Sequence, residues 1–356
     1  MQRKKKLLLI VGNRPQYIKA GIIYHNLKKS KKFNVDILDT NQHYDNNLSN
    51  YFFKNFNYKP KYKLNIGSHS NEIAISKIIS SFSRFIKNKI FDLIIVLGDT
   101  NSTAAVSIAA KSKNLPLIHI EAGERTYYQK DCPEELNRLI SDQCSDLLLT
   151  CSKEAKVNLL NEGYSSKKIK FMGDPMLDLF KYFSNKLKFD KKIYNFNYTY
   201  ATLHRKENTR DDILIKLLNL LDNHISKVIM PIHPRTQKVI NKFKWKPKKN
   251  LVIIKPVDYK TSVKLILNCS LVFTDSGGLK REAYFAKKLC ISPQSGKPLW
   301  PQTVKSGWNK TVNPKNFNKL KKYLSHFPKP KRHSLASFGG GESCKKLIKF
   351  IKLYFK

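Results

Sequence analysis

Short apolar runs that recur between longer amphipathic segments constrain this chain more than any other feature. In the first half the runs are Leu7–Val11, Val35–Leu38, Leu93–Leu97, Leu117–Ile120 and Leu147–Thr150, each followed by a stretch of helical periodicity. A second series comprises Tyr200–Leu203, Val228–Ile232, Leu251–Ile254, Leu271–Thr274 and Leu289–Ser292. Strands that alternate with helices pair in parallel, because a parallel neighbour needs a long crossover and a helix fills it. The rhythm predicts an α/β chain with two doubly wound parallel sheets. At 356 residues the chain suits two domains better than one core. Met-Gly-Asp-Pro-Met (172–176) and the Lys/Asn/Tyr-rich stretch to Tyr198 mark the crossing, giving a first domain over 1–172 and a second over 173–340. Near the end, Cys344, Leu347, Ile348, Ile351 and Tyr354 recur at helical spacing with lysines between them. A helix over 341–356 is expected to pack back on the body of the protein, although a basic amphipathic helix can also lie on a membrane.

Lys and Arg number 67 against 26 Asp and Glu, a net charge of +41. Such an excess can signal nucleic acid or an anionic membrane. Here the lysines are scattered along most of the chain instead of forming one stripe or tail, so no nucleic-acid partner is expected. Part of the excess should still attract an anionic, phosphorylated small molecule. The six cysteines show no C-x-x-C pair and no metal-ligand spacing, which suits a reduced cytoplasm and predicts no metal centre. No stretch reaches the roughly 18–20 apolar residues of an integral membrane segment. The apolar part of the N-terminus ends at Gly12, too short for a signal sequence, and is expected to be the first strand.

Against this basic background, six acids cluster between Asp99 and Glu135: Asp99, Glu121, Glu124, Asp131, Glu134 and Glu135. Asp99 follows the run ending at Leu97, Glu121 follows the run ending at Ile120, and Glu134 opens a helical pattern. Ligands of open parallel sheets bind outside the carboxyl ends of the strands. Carboxylates that converge there without a metal pattern point to proton transfer at carbon or oxygen. Taken singly, each serves equally well as a helix cap or a lysine partner.

Two anion sites can be read beside them. Leu271–Thr274, Asp275-Ser276-Gly277-Gly278 and the segment after it read as strand, small-residue turn and helix, where backbone amides and a helix N-terminus can receive phosphate. Glu282 lies about one turn into that helix and can accept from ribose hydroxyls. At the opening turn, Gly-Asn-Arg-Pro-Gln-Tyr-Ile-Lys puts Arg14 at the strand tip and Lys19 a turn later. It is not G-x-G-x-x-G, so NAD is disfavoured and no cofactor is expected. His204 with Arg205, and His233, stand just past two further strands and suit phosphate or leaving-group contact.

The ordered set G-N-R-P-Q-Y-I-K-A, N-Q-H-Y-D, G-D-T-N-S-T, H-I-E-A-G-E-R-T, P-E-E-L-N-R, G-D-P-M-L-D, L-H-R-K-E-N, H-P-R-T and D-S-G-G-L-K-R-E-A resembles the non-hydrolysing UDP-N-acetylglucosamine 2-epimerases, from about residue 7 to 312. That resemblance implies two Rossmann-like domains of the GT-B type with an interdomain cleft, a cytoplasmic homodimer, a UDP-sugar substrate, and neither NAD nor a required metal. It implies a reaction in which a base removes the C2 proton while UDP departs, leaving a 2-acetamidoglucal. UDP then adds back after protonation from the opposite face. By motif matching, Asp99, Glu121 and Glu134 are the acid/base groups, with His204 beside the departing diphosphate. Arg14, Lys19, Arg138, His204, His233, Ser276, Gly277 and Gly278 would hold the substrate's phosphates, and Glu282 its ribose. Gln42 and His43 match a segment that in bacterial relatives lies near an activating second nucleotide-sugar.

The chain departs from the family pattern in three places. Glu124 replaces the leucine of E-A-G-L-R, and Arg281 stands where many relatives have an acid. In S-P-Q-S-G-K-P-L-W-P-Q-T-V (292–304), Trp300 and Pro301 survive while the flanking acids become Leu299 and Gln302. With the G-N-R-P-Q opening, the lost acids suit an anionic sugar, as in the relatives acting on UDP-2,3-diacetamido-2,3-dideoxyglucuronate. A GT-B glycosyltransferase would share the fold and the nucleotide site but has no need of three acids at these strand ends.

Overall fold

The computed structural model describes residues 3–41, 58–127, 133–187, 192–296, 298 and 300–356, the side chains of residues 14 and 15 excepted. Strand β1 (Lys5–Val11) is buried from Leu7 onward and leads into α1 (Arg14–Lys29). The helix starts where Asn13 accepts the Gln16 N–H at 3.2 Å, and Pro15 stands in the first turn, where no intrahelical N–H is needed. Lys28 and Lys29 lie at its negative end. There follow β2 (Phe33–Asp39), β3 (Tyr62–Lys63), α2 (Asn71–Ile86), β4 (Leu93–Leu97), α3 (Asn101–Ser112), β5 (Leu117–Ile120), α4 (Pro133–Cys144), β6 (Leu147–Thr150), α5 (Lys153–Asn161), β7 (Ile169–Phe171) and α6 (Pro175–Leu187). All pairings are parallel, in the order β3-β2-β1-β4-β5-β6-β7.

The second series is β8 (Tyr198–Thr202), α7 (Asp211–Asp222), β9 (Lys227–Pro231), α8 (Pro234–Lys242), β10 (Leu251–Ile254), α9 (Tyr259–Asn268), β11 (Leu271–Thr274), α10 (Gly277–Phe285), β12 (Leu289–Pro293), α11 (Pro301–Lys305), β13 (Asn309–Val312) and α12 (Phe317–Ser325). Its strands are also all parallel, in the order β10-β9-β8-β11-β12-β13. All ten apolar runs are strands. The sheets gain β3, β7 and β13, which are two to four residues long and carry polar residues such as Lys63, Lys170 and Lys310.

In the first sheet the order reverses between β1 and β4, in the second between β8 and β11. Such switch points open a crevice at the carboxyl edge, and the candidate residues sit there. Gly12 is required at the first: a Cβ on it would collide with the Ser102 and Thr40 hydroxyls. Helix α3 packs between α2 and α4 and is buried along most of its length. Its Ala104, Ala105, Ala109 and Ala110 allow close approach without large side chains.

The chain divides into two compact units, Met1–Leu179 with Leu335–Lys356, and Phe180–Ser334. The first division falls inside α6 rather than at 172/173, because this helix start is tied to the C-terminal segment. The Asp174 N–H donates to the Phe338 carbonyl at 3.0 Å, and the Asp178 carboxylate accepts the Ser343 and Cys344 N–H groups at 3.1 and 3.0 Å. Helix α13 (Ser343–Tyr354) lies against α1 and buries Cys344, Leu347 and Ile351. Among the described residues, no helix is long and apolar enough to cross a membrane.

Candidate functional site

At the carboxyl edge of the first sheet, Glu121 follows β5 with a left-handed backbone, φ +77°. A non-glycine residue adopts that conformation at a cost of about 1 kcal/mol or more, and only where its surroundings fix it. Its carboxylate forms an ion pair with Lys19 of α1, both side chains nearly buried. The pair packs over Gly98: a Cβ built there would stand 3.2 Å from Glu121 Oε2 and 3.8 Å from Lys19 Nζ. Gly98 precedes Asp99, so two of the expected acids follow the ends of the paired strands β4 and β5. Gln16 of α1 reaches the same place, its Nε2 donating to the Leu97 carbonyl at 2.6 Å.

Asp99 is about one-third exposed and forms an ion pair with Arg138 of α4. The same guanidinium holds Glu135 at 2.7 Å. Burial pushes the Glu135 carboxyl up, but the Thr126 N–H and hydroxyl, at 3.0 and 2.8 Å, together with Arg138 outweigh it and hold the group below its usual value. The neighbouring acids of Pro-Glu-Glu thus differ. Glu135 is buried and engaged, whereas Glu134 is exposed and lines a cavity of about 320 Å³ with Asp99, His69, Asn101 and Asn137. Arg138, expected at phosphate, is engaged by two carboxylates here, as Lys19 is by one. Arg14 is the first residue of α1. Gln42 and His43 lie outside the described residues. The extra acid Glu124 is buried, and its Oε1 accepts the Ser152 hydroxyl at 2.9 Å.

The second sheet positions its groups through Asp275, which sequence reasoning treated only as part of a turn. This fully buried carboxylate accepts the His204 and Arg205 N–H groups, each at 2.9 Å, the Asn208 side chain at 3.0 Å and His204 Nδ1 at 2.9 Å. Burial raises the Asp275 carboxyl, yet the His204 contact and the N–H donors hold it below the carboxylate range. His204 is partly exposed, and its ring lies 5.5 Å from that of His233 between centroids. His233 caps α8 by accepting the Arg235 N–H at 3.2 Å. Ser276 caps α10 by accepting the Leu279 N–H at 3.3 Å, and Ser276, Gly277 and Gly278 are half-buried at that helix start. Glu282 is buried within α10.

Two neighbours of Glu282 carry positive charge. Arg281 lies over the Trp300 ring, 3.9 Å from its centroid. Lys280 is 1% exposed and donates to Gln294 Oε1 at 2.6 Å. Burial pulls its ammonium down to about 8. Among the described residues, no cluster of His, Cys, Asp and Glu is arranged to hold a metal ion.

A family model described as UDP-N-acetylglucosamine 2-epimerase matches residues 25–352. A Methanococcus maripaludis UDP-N-acetylglucosamine 2-epimerase homolog is 35% identical over 98% of this chain and 99% of that protein. The UDP-2,3-diacetamido-2,3-dideoxy-D-glucuronate 2-epimerase of Pseudomonas aeruginosa is 32% identical over 97% of this chain and 99% of its own. The crystal structure of the Methanocaldococcus jannaschii UDP-GlcNAc 2-epimerase in complex with UDP-GlcNAc and UDP superposes with a TM-score of 0.87 at 31% identity, covering 98% of this chain and 99% of that one. Two parallel doubly wound sheets, acids gathered at the carboxyl edge of the first, a glycine-rich helix start at the edge of the second, and relatives matched along their whole length lead to one conclusion: the chain belongs to the UDP-N-acetylglucosamine 2-epimerase family.

Proposed function

We propose that this protein inverts C2 of a UDP-2-acetamido sugar by reversible elimination of UDP, supplying a precursor for cell-surface polysaccharide. The observation that supports this is that Glu121, paired with Lys19, and Asp99, paired with Arg138, stand just past the ends of the neighbouring strands β5 and β4, while Glu134 at the start of α4 shares a cavity with Asp99. A carboxylate takes the C2 proton, the C–H electron pair becomes the C1–C2 double bond, and the C1–O bond breaks with its electrons on UDP. A second acid then protonates C2 from the other face while a UDP oxygen attacks C1. Acid and base groups on both faces of the sugar are what this chemistry demands.

The diphosphate needs positive partners as charge develops on it. Arg14, Lys19 and Arg138 at the first sheet, and His204, His233, Ser276, Gly277 and Gly278 at the second, supply cations and N–H donors, with Glu282 receiving the ribose. Gln42 and His43 are assigned to an activating nucleotide-sugar. We place the enzyme in the cytoplasm as a homodimer, a reading supported by the family and by free Cys144, Cys151, Cys269, Cys290 and Cys344.

A second substrate is favoured by one observation. Where many relatives carry an acid, this chain has Arg281, stacked on Trp300, and the acids flanking Trp300 and Pro301 are replaced by Leu299 and Gln302. Positive charge there suits a uronic sugar such as UDP-2,3-diacetamido-2,3-dideoxyglucuronate.

Proton NMR of each UDP-sugar in heavy water tests both readings. Epimerisation is expected to proceed with deuterium entering C2, and Glu121→Gln is expected to lower kcat by about 10²–10⁴-fold. Absence of exchange with either sugar would overturn the epimerase reading and leave a transferase of the same fold as the better one. Turnover of the neutral sugar alone would remove the uronate.

A further inference from the structure

Behind the acids lies a buried pair that the reaction as written does not use. His119 in β5 and Asp142 in α4 are both inaccessible to solvent, with His119 Nδ1 2.6 Å from Asp142 Oδ1. The other ring nitrogen, Nε2, meets the Gly98 carbonyl at 2.8 Å. Asp142 Oδ2 accepts the Gly123 N–H at 3.1 Å and meets Arg125 Nη2 at 2.7 Å. One carboxylate therefore grips His119 in β5 and Gly123 beyond it, on either side of Glu121 in its left-handed conformation. Through the imidazole it also fixes the carbonyl of the residue before Asp99.

We propose that Asp142, with His119, is a positioning residue that sets the Glu121 and Asp99 carboxylates relative to one another for proton transfer on the two faces of C2.

Stability alone is a weak reason for such a pair. Charges taken fully out of water regain through pairing little more than desolvation costs, and apolar residues of like volume commonly replace them without loss. A strained backbone, by contrast, persists only where its surroundings over-determine it. Here the restraint converges from three directions: Asp142 from α4, His119 from the strand, and Leu149 of β6, whose carbonyl accepts the Glu121 N–H at 3.0 Å. Gly98 is held from two sides, its carbonyl by His119 and its Cα face by the Glu121 carboxylate. A proton abstractor displaced by a fraction of an ångström loses rate steeply, whereas His204 and Ser276, proposed for phosphate at the second sheet, are held by Asp275 and the start of α10 and not by this pair.

The inference rests on the epimerase reading, and the experiment separates the two. Asp142→Asn keeps the volume but leaves one acceptor oxygen for the two partners His119 and Gly123. In full-length protein, kcat for the UDP-sugar and C2 exchange in heavy water are expected to fall at least tenfold, with KM within threefold of the parent. Asp178→Asn also removes a carboxylate that accepts two backbone N–H groups, but at the start of α13 and with no bond to Asp99, Glu121 or Glu134. It is expected to lower the melting temperature with kcat within twofold. Where Asp142→Asn does not fold, His119→Gln, which can reach Gly98 or Asp142 but not both, carries the same expectation. A folded variant with parental kcat, or one whose kcat falls only in step with melting temperature and KM as in the control, overturns the positioning role alone. Failure of both variants to fold assigns the pair to stability and also overturns it. A parent without exchange overturns the epimerase reading and this inference with it.

Discussion

Lys280 shows how much a single side chain can cost its fold. Its ammonium is 1% exposed, and burial lowers its pKa from 10.5 to about 8. The unfolded chain therefore takes up a proton between about pH 8 and 10.5 that the folded chain does not. Stability from this group rises with pH through that window and is lowest below it, where a charge stays buried at a cost of about 3 kcal/mol. Lys280→Met is expected to raise the urea midpoint at pH 7 and to lose that advantage by pH 10, as equilibrium unfolding at the two values would show. An equal gain at both would mean that the ammonium is not what destabilises the site. The residue types at this scale were legible in the sequence: Asp99, Glu121, His204 and Ser276 each stand just past the end of a strand. Their pairings were not. Lys19 with Glu121, Arg138 with Asp99 and Asp142 with His119 join positions far apart in the chain, and spacing carries no information on contacts of that range. The resemblance singled out Glu134 of Pro-Glu-Glu, but periodicity alone did not say that α4 would turn Glu135 to Thr126 and leave Glu134 at the cavity beside Asp99.

Elements were read best where burial made them apolar on both faces. The runs Leu93–Leu97, Leu117–Ile120, Leu147–Thr150 and Leu271–Thr274 coincide with β4, β5, β6 and β11 residue for residue, because central parallel strands admit little else. The edge strand β10 was legible too, Leu251–Ile254 being apolar throughout. The other edge strands escape that rule. β3, β7 and β13 each lie at the margin of a sheet, covered less fully, and their lysines hid them. Helix α13 illustrates the converse, a terminal element whose apolar stripe was visible but whose partner was not. Its Leu347 and Ile351 are fully buried. Ile351→Asp is expected to destabilise the first unit by several kcal/mol, since a lone carboxylate would replace a core side chain. Calorimetry would then show a first transition moved down by several degrees and a second unmoved. A single unshifted transition would mean that the helix contributes little.

For the whole molecule the governing quantity is a net charge of +41 on 356 residues. Like charges at that density repel in the compact state, and added salt screens them, the Debye length falling from about 30 Å at 0.01 M to about 3 Å at 1 M. The melting temperature is therefore expected to rise by several degrees between roughly 0.01 M and 0.5 M sodium chloride, as a thermal scan in each buffer would reveal. A fall would mean that attractive pairs such as Lys61 with Asp36 outweigh the repulsion.

The chain leaves its first unit inside α6 and returns to it at Leu335, and the helix that completes this unit contains residues 343–354. On the ribosome, then, the half of the protein made first stays unfinished while the whole of Phe180–Ser334 is synthesised and free to fold. The surface of α1 that will receive Cys344, Leu347 and Ile351 stands open during that interval, and nascent chains halted short of α13 are the species a chaperone would meet.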